Sequence, residues 1–293
     1  MSDIALAALF AVFIWWFSTG VVLLLNGMQR RAYKLSLFVS SAVAAAALVA
    51  LDHTANQTNA AAVYCAFTCA LLVWGWHELS FLTGWITGPR TTALPAELRE
   101  GQEGKRFVES VRAILWHELG ILAVGVLIIV MTWGAPNQVG TWTFMVLWSM
   151  RTSAKLNLFL GVRNLSEEFL PPHLVYLSSF FRRRAMNLLF PFVVSAASAV
   201  LAWMVMLALE PSADATTVLG LTLVGTMLAL AILEHWMLVL PVPTTALWRW
   251  AMAKRQPAPG CIALPAAPSS PAHAQPATGG TPLDKNEQLL HAR

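Results

Sequence analysis

The sequence predicts an all-α protein, a polytopic membrane bundle of seven transmembrane helices with the N-terminus outside and the C-terminus cytoplasmic. Three observations lead there. Of the 293 residues, 57% are hydrophobic and only 12% charged, about half the charge fraction of an ordinary soluble domain. Seven stretches approach the roughly 20 apolar residues that a helix needs to cross a bilayer: 4–26, 34–51, 60–86, 111–133, 141–160, 186–209 and 218–240. The basic residues also alternate. The connections after spans one, three and five hold Arg30, Arg31, Arg90, Arg99, Lys105, Arg106, Arg163, Arg182, Arg183 and Arg184, whereas those after spans two, four and six hold none. An excess of Lys and Arg marks cytoplasmic loops. The formal charge of +4 thus has a membrane explanation; the bilayer is the expected partner and no nucleic acid is.

Taken in order, the first span has no basic segment before it and no small-residue cleavage site after it, so it reads as a retained helix and not a signal peptide. The second is short and rich in alanine, which predicts close packing against a neighbour. The third carries Trp76-His77-Glu78-Leu79-Ser80 near its cytoplasmic end, with Cys65 and Cys69 one turn apart. These cysteines read as small hydrophobes, and with Cys261 they imply no disulfide framework. The charged connection 88–110 reads as a solvated loop or short helix. Span four repeats the Trp-His-Glu-Leu string at Trp116, His117, Glu118 and Leu119. Span five carries Arg151 near its middle, then Lys155 and Asn157; Arg151 is the basic residue that fits the orientation least well. In the connection 161–184, Ser166 is placed to N-cap a segment beginning Glu167-Glu168. Its apolar positions and three arginines suggest an amphipathic stretch on the inner leaflet. Asn187 opens span six, and span seven carries Glu234-His235-Trp236. Beyond Pro241 and Pro243 the spans stop. Residues 1–250 then form the transmembrane domain, and 251–293 a Pro- and Ala-rich cytoplasmic tail expected to be disordered.

Ionisable side chains inside a membrane are costly and face a partner charge, protein or a cavity. Three His-Glu pairs in three apolar helices, all in the cytoplasmic half, therefore predict one convergent site: His77, Glu78, His117, Glu118, Glu234 and His235, with Arg151 as counter-charge. Three chemistries remain open for it. It can be a network of ion pairs, with Glu78, Glu118 or Glu234 on Arg151 and Lys155. The same six His and Glu residues can be ligands of a di-metal site, iron being the expected metal. Against that, di-iron bundles use Glu-x-x-His, which keeps both ligands on one face, whereas adjacent residues stand about 100° apart. Or it can bind a tetrapyrrole, with His as axial ligand and tryptophans as walls. Other chemistries lack their signatures. There is no G-x-S-x-G elbow, no phosphate-binding glycine loop, and no lysine in the last span for a retinal Schiff base.

Several strings together resemble one family. Lys155-Leu156-Asn157-Leu158-Phe159-Leu160-Gly161-Val162 continues through Asn164-Leu165, Glu167-Glu168-Phe169-Leu170-Pro171, His173-Leu174 and Tyr176-Leu177. His77-Glu78-Leu79 is followed by Leu82-Thr83-Gly84 and Thr87-Gly88-Pro89-Arg90, and Trp15-Trp16-Phe17-Ser18-Thr19-Gly20 lies near the start. In this order they resemble the PuhE family of photosynthetic complex assembly proteins of purple phototrophic bacteria, over residues 1 to about 250. The resemblance implies a multi-pass protein of the bacterial inner, or intracytoplasmic, membrane. Such a protein supports reaction-centre assembly and bacteriochlorophyll supply. Its partners would be reaction-centre or light-harvesting subunits and pigment-synthesis enzymes, and its ligand bacteriochlorophyll or a precursor. The resemblance supplies no reaction. A membrane-bound, metal-dependent oxidoreductase acting on a tetrapyrrole or other lipophilic substrate is the alternative expectation, and a scaffold binding only proteins through 161–184 and the tail is a third.

Overall fold

The computed structural model describes residues 2–98, 101–241 and 244–252, all within one unit, 1–256. Arg99, Pro243, Cys261 and the tail lie outside the described residues. Seven long helices follow the seven apolar stretches: α1 (Ser2–Asn26), α2 (Arg30–Ala55), α3 (Ala60–Leu82), α4 (Glu103–Met131), α5 (Val139–Leu160), α6 (Leu189–Ala208) and α7 (Ala215–Met237). Six of them are long and apolar enough to cross a membrane. Helix α5 is not among the six; it has the length, but Arg151, Lys155, Asn157 and its hydroxyl residues dilute its hydropathy. No strand occurs among the described residues, and an isolated bridge pairs Val162 with Arg183.

Three expected boundaries move, each for a visible reason. Helix α2 is longer than 34–51, because Ala44, Ala47, Leu51 and Ala55 bury one stripe that runs to its end. That stripe makes the most extensive helix–helix contact of the molecule, against α3. Span three stops at Leu82 and not at 86. Gly84 takes φ +76°, a left-handed geometry that glycine adopts without a Cβ clash, and the amides of Trp85 and Ile86 both return to the Ser80 carbonyl. Helix α4 starts two turns before 111, since its charged first turns are paired: Arg90 with Glu109 at 2.6 Å, Arg112 with Glu109 at 3.0 Å, and Arg106 with Glu103 at 3.2 Å.

Successive helices run antiparallel. At one end, which we call the loop end, the connections 83–98 and 161–188 close over the bundle; at the other, Asn137 donates to the carbonyls of Ala55 and Thr54. Helix α3 is the axis. Half of its most apolar window is buried, against 17% for α1, α2 and α6. Its Val73 and Trp74 pack with Ile121 of α4 and Phe144 of α5, while Phe67 and Leu71 pack with Ala7 and Ala11 of α1 and Met227 of α7. Cys69 sits in the first of these clusters with Cys65 against it, Sγ to Sγ 3.8 Å, as small hydrophobes.

The connection 161–184 forms short 3-10 segments, Glu167–Phe169 and Pro172–Phe180, the second with one buried side and Val175 exposed on another. Leu174, Leu177 and Phe180 pack inward on Phe81 and Ala113. Ser166 does not cap with its side chain; it takes φ +53°, the left-handed region.

Candidate functional site

The three His-Glu pairs divide by residue type. Every glutamate has turned to a donor. Arg151 Nη2 donates to Glu78 Oε2 at 3.0 Å, Lys155 Nζ to Glu118 Oε1 at 2.5 Å, and the Trp15 indole to Glu234 Oε1 at 2.9 Å. Of the three carboxylates expected to use Arg151 as counter-charge, only Glu78 bonds an arginine and none bonds a histidine, so an expectation that two of them would do so is not met. Helix α5, not the trio of α3, α4 and α7, is the hub, because both cations stand on it one turn apart. Glu118 and Glu234 also lie within electrostatic range of Arg151. Adjacent side chains on a helix diverge by about 100°, so a Glu that faces α5 leaves its neighbouring His facing elsewhere.

The histidines show where. His235 is satisfied at both nitrogens, by the Ala231 carbonyl at 2.8 Å and Ser153 Oγ at 3.0 Å. It is a tie between α7 and α5. His77 and His117 point toward each other across α3 and α4, ring centroids 6.4 Å apart and near perpendicular. His117 is only 1% exposed, yet neither of its ring nitrogens has a partner among the described residues, nor has Nε2 of His77. Phe81 lies 4.5 Å from the His117 ring and Trp76 4.9 Å from that of His77. Buried polar atoms are almost always bonded, and an orphan costs about 1–3 kcal/mol. Two facing imidazoles with open nitrogens are therefore the feature of this cluster that its ion pairs leave unexplained.

The backbone around His117 is unusual as well. Its amide, in the middle of α4, donates to the carbonyl of Thr87 at 2.9 Å, and the Arg112 carbonyl accepts from the Arg90 amide at 3.3 Å. The segment 87–90 lies directly on the α4 backbone, and it needs Gly88: a Cβ there would lie 2.1 Å from the Arg112 oxygen and 2.6 Å from the Ala113 carbon. The string Thr87-Gly88-Pro89-Arg90 thus seats on α4 one turn below His117.

As arranged, the six His and Glu residues do not form a metal-ligand set. Among the described residues no three His, Cys, Asp or Glu side chains gather where one ion would touch them, since the carboxylates are committed to Arg151, Lys155 and Trp15. Of the chemistries open in the sequence, ion pairing accounts for Glu78 and Glu118, and the histidine pair remains available.

Lys155, expected to pair with one of the three glutamates, does so with Glu118. Three contributors were not foreseen as site residues. Trp15 and Ser153 gave no signal beyond being polar in apolar helices. Arg106 stands within a charged run and looks like any loop arginine. It is 2% exposed, donates to the carbonyls of Phe159 and Phe180 at 2.6 and 2.7 Å, and stacks 3.9 Å above the Phe159 ring. It ties the start of α4 to the end of α5. A comparable tie holds α6: Asn187 donates to the Asn157 side chain and the Gly161 carbonyl, and accepts from the amides of Leu189 and Phe190.

Comparison with known proteins follows the sequence strings. The model of a family described as "Protein of unknown function (DUF3623)" matches residues 1–258. A protein of Rhodobacter capsulatus described as an uncharacterized 30.4 kDa protein in the puhA 5' region is 39% identical over 264 residues, covering 86% of this chain and 92% of its own length. No solved structure matches.

Proposed function

Because the chain belongs to the DUF3623 family, whose Rhodobacter capsulatus relative is described by its place beside puhA, we propose that it is a membrane assembly factor for the photosynthetic apparatus. It crosses the bacterial inner membrane seven times with the loop end cytoplasmic. It supports reaction-centre assembly by holding bacteriochlorophyll or a precursor tetrapyrrole. The relative's position beside puhA and the resemblance to photosynthetic complex assembly proteins support the biological setting.

One observation carries the ligand: the His117 imidazole, buried with both nitrogens open. A neutral imidazole nitrogen is an axial ligand for the central metal of a tetrapyrrole. His77 faces it from α3, and Trp76 supplies an aromatic wall. The macrocycle requires that α4 swing away from α3, with which it shares few contacts. In this reading the ion pairs of Glu78 and Glu118 set the resting position of the helices and take no part in ligation.

The test is purification in mild detergent from a phototrophically grown host, followed by absorption spectroscopy. Co-purified pigment with a ligated tetrapyrrole spectrum is expected, reduced several-fold in His117→Ala and shifted in His117→Met. Deletion of the gene should lower reaction-centre absorption. Unchanged cellular spectra on deletion, together with colourless protein, would remove this reading.

A further inference from the structure

A second feature lies at the loop end, away from the histidines. A groove of about 700 Å³ opens between the first turn of α4 and the end of the Pro172–Phe180 segment, lined by Glu103, Arg106, Ser178, Ser179 and the row Arg182, Arg183 and Arg184. Among the described residues of the lining, Glu103 is the single carboxylate, shared by Arg106 and Arg182; Arg183 also lines a smaller recess with Glu167 and Glu168. Arg183 and Arg184 are exposed, with no carboxylate partner among the described residues.

The row is held rigidly. The Arg182 amide donates to Leu158, the Val162 amide to the Arg182 carbonyl, and the Arg184 amide to the Val162 carbonyl, all between 3.1 and 3.2 Å. The aliphatic stem of Arg184 lies across Gly161, where a Cβ would meet its Cγ and Cδ at 2.8 Å. These guanidinium groups therefore project from a pinned backbone. Immediately after the row, Met186, Leu188 and Phe192 are exposed and apolar, Leu188 by 83%. Charge next to exposed apolar surface, at the end where a bilayer's headgroups lie in the orientation proposed above, has the composition of an amphiphile's binding site. Basic recesses between helices on the cytoplasmic side take lipid phosphates, and the planar fork of arginine suits phosphate oxygens.

We propose that this groove binds the phosphate of an anionic phospholipid from the inner leaflet, with Arg183 and Arg184 on the phosphate and the acyl chains along Met186, Leu188 and Phe192. The site rests on the orientation given under the proposed function but not on pigment binding, so the two fail separately.

The test uses the full chain in mixed micelles of dodecyl maltoside with phosphatidylglycerol or phosphatidylcholine, read by native mass spectrometry. Retention of phosphatidylglycerol over phosphatidylcholine is expected, falling about ten-fold or more in Arg183→Gln/Arg184→Gln. Arg31→Gln/Lys34→Gln, which removes the same charge from exposed positions at the start of α2, should retain the lipid. Circular dichroism of each variant separates lost binding from lost fold; if the arginine pair proves unfoldable, Leu188→Asp tests the acyl side alone. Competition identifies the source of the phosphate. Millimolar pyrophosphate that displaces the lipid completely would reassign the groove to a soluble phosphate compound and overturn the lipid assignment. Equal retention of both lipids, or equal loss in the two double variants, would overturn the site itself.

Discussion

Helices α2 and α4 both lie against α3, and they are attached in opposite ways. Helix α2 is held by shape. Small side chains let its backbone approach, its alanine stripe buries along α3, and a polar contact across that seam joins Trp76 Nε1 to Ser41 Oγ at 2.8 Å. Helix α4 has a narrow apolar contact and a set of specific bonds instead: Lys155 to Glu118, His117 to Thr87, and Arg106 to Phe159 and Phe180. Packing between small residues has no half-formed state, because interdigitated side chains lose contact all at once. A few polar ties can be released one at a time. The difference teaches which helix can move. The unpartnered histidine pair lies on the α4 side of α3, where a ligand could enter without breaking the core.

Four substitutions probe this contrast, beginning with the strongest. Arg106→Ala leaves two carbonyls and Glu103 without their buried donor and should cost about 3–5 kcal/mol, measured by thermal denaturation in detergent. A loss no larger than that of an exposed arginine such as Arg31→Ala would mean that α4 is not held by its ties. Ala47→Leu forces a larger side chain into the α2 seam, where Ala47 is 4% exposed, and should cost about 1–3 kcal/mol. If it is tolerated, the seam is not set by shape. A double-mutant cycle of Glu118→Gln and Lys155→Met should return a coupling of about 1 kcal/mol and, under the proposed pigment reading, faster exchange of added pigment. No coupling would show that this ion pair does not hold α4.

The smallest effect is expected at Asp214, which touches neither helix. Its carboxylate caps α7 through the amides and hydroxyls of Thr216 and Thr217. The bonds from the two hydroxyls hold its carboxyl well below the usual range. A lowered folded pKa means that this stabilisation is present above the ordinary carboxylate pKa and is lost as pH falls through the folded value. Asp214→Asn should therefore lower the melting temperature slightly at neutral pH, and the difference from wild type should vanish only in strong acid. A larger shift than that of Ala47→Leu would reverse the ranking.

The fold was largely legible because hydropathy in a membrane chain is decided residue by residue against lipid. Six of the stretches appear as helices apolar enough to span, and α5 appears at full length. Boundaries were less legible because they depend on partners far along the chain: Glu109 on Arg90, or the return of Trp85 and Ile86 to Ser80. The candidate site was half legible. That polar residues in apolar helices must meet was plain from their cost in lipid, and Glu78 with Arg151 meets that expectation. Which atom meets which was not, since a rotation of one residue on α3 or α4 exchanges His for Glu. Arg106 was hidden altogether, because a charged run reads as solvated until the carbonyls that surround it are known.

The seat of Gly88 on α4 bears on how the protein enters the membrane. A helix normally partitions into lipid as a closed unit, with every amide satisfied by its own carbonyls. In α4 the amide of His117 has an acceptor from outside the helix, the Thr87 carbonyl. That bond exists only once the 87–90 segment has docked. The smallest piece of this chain that contains it is therefore the α3–loop–α4 hairpin as a whole. An insertion machinery that released α4 alone would release it without the contact beside the histidine of the proposed site.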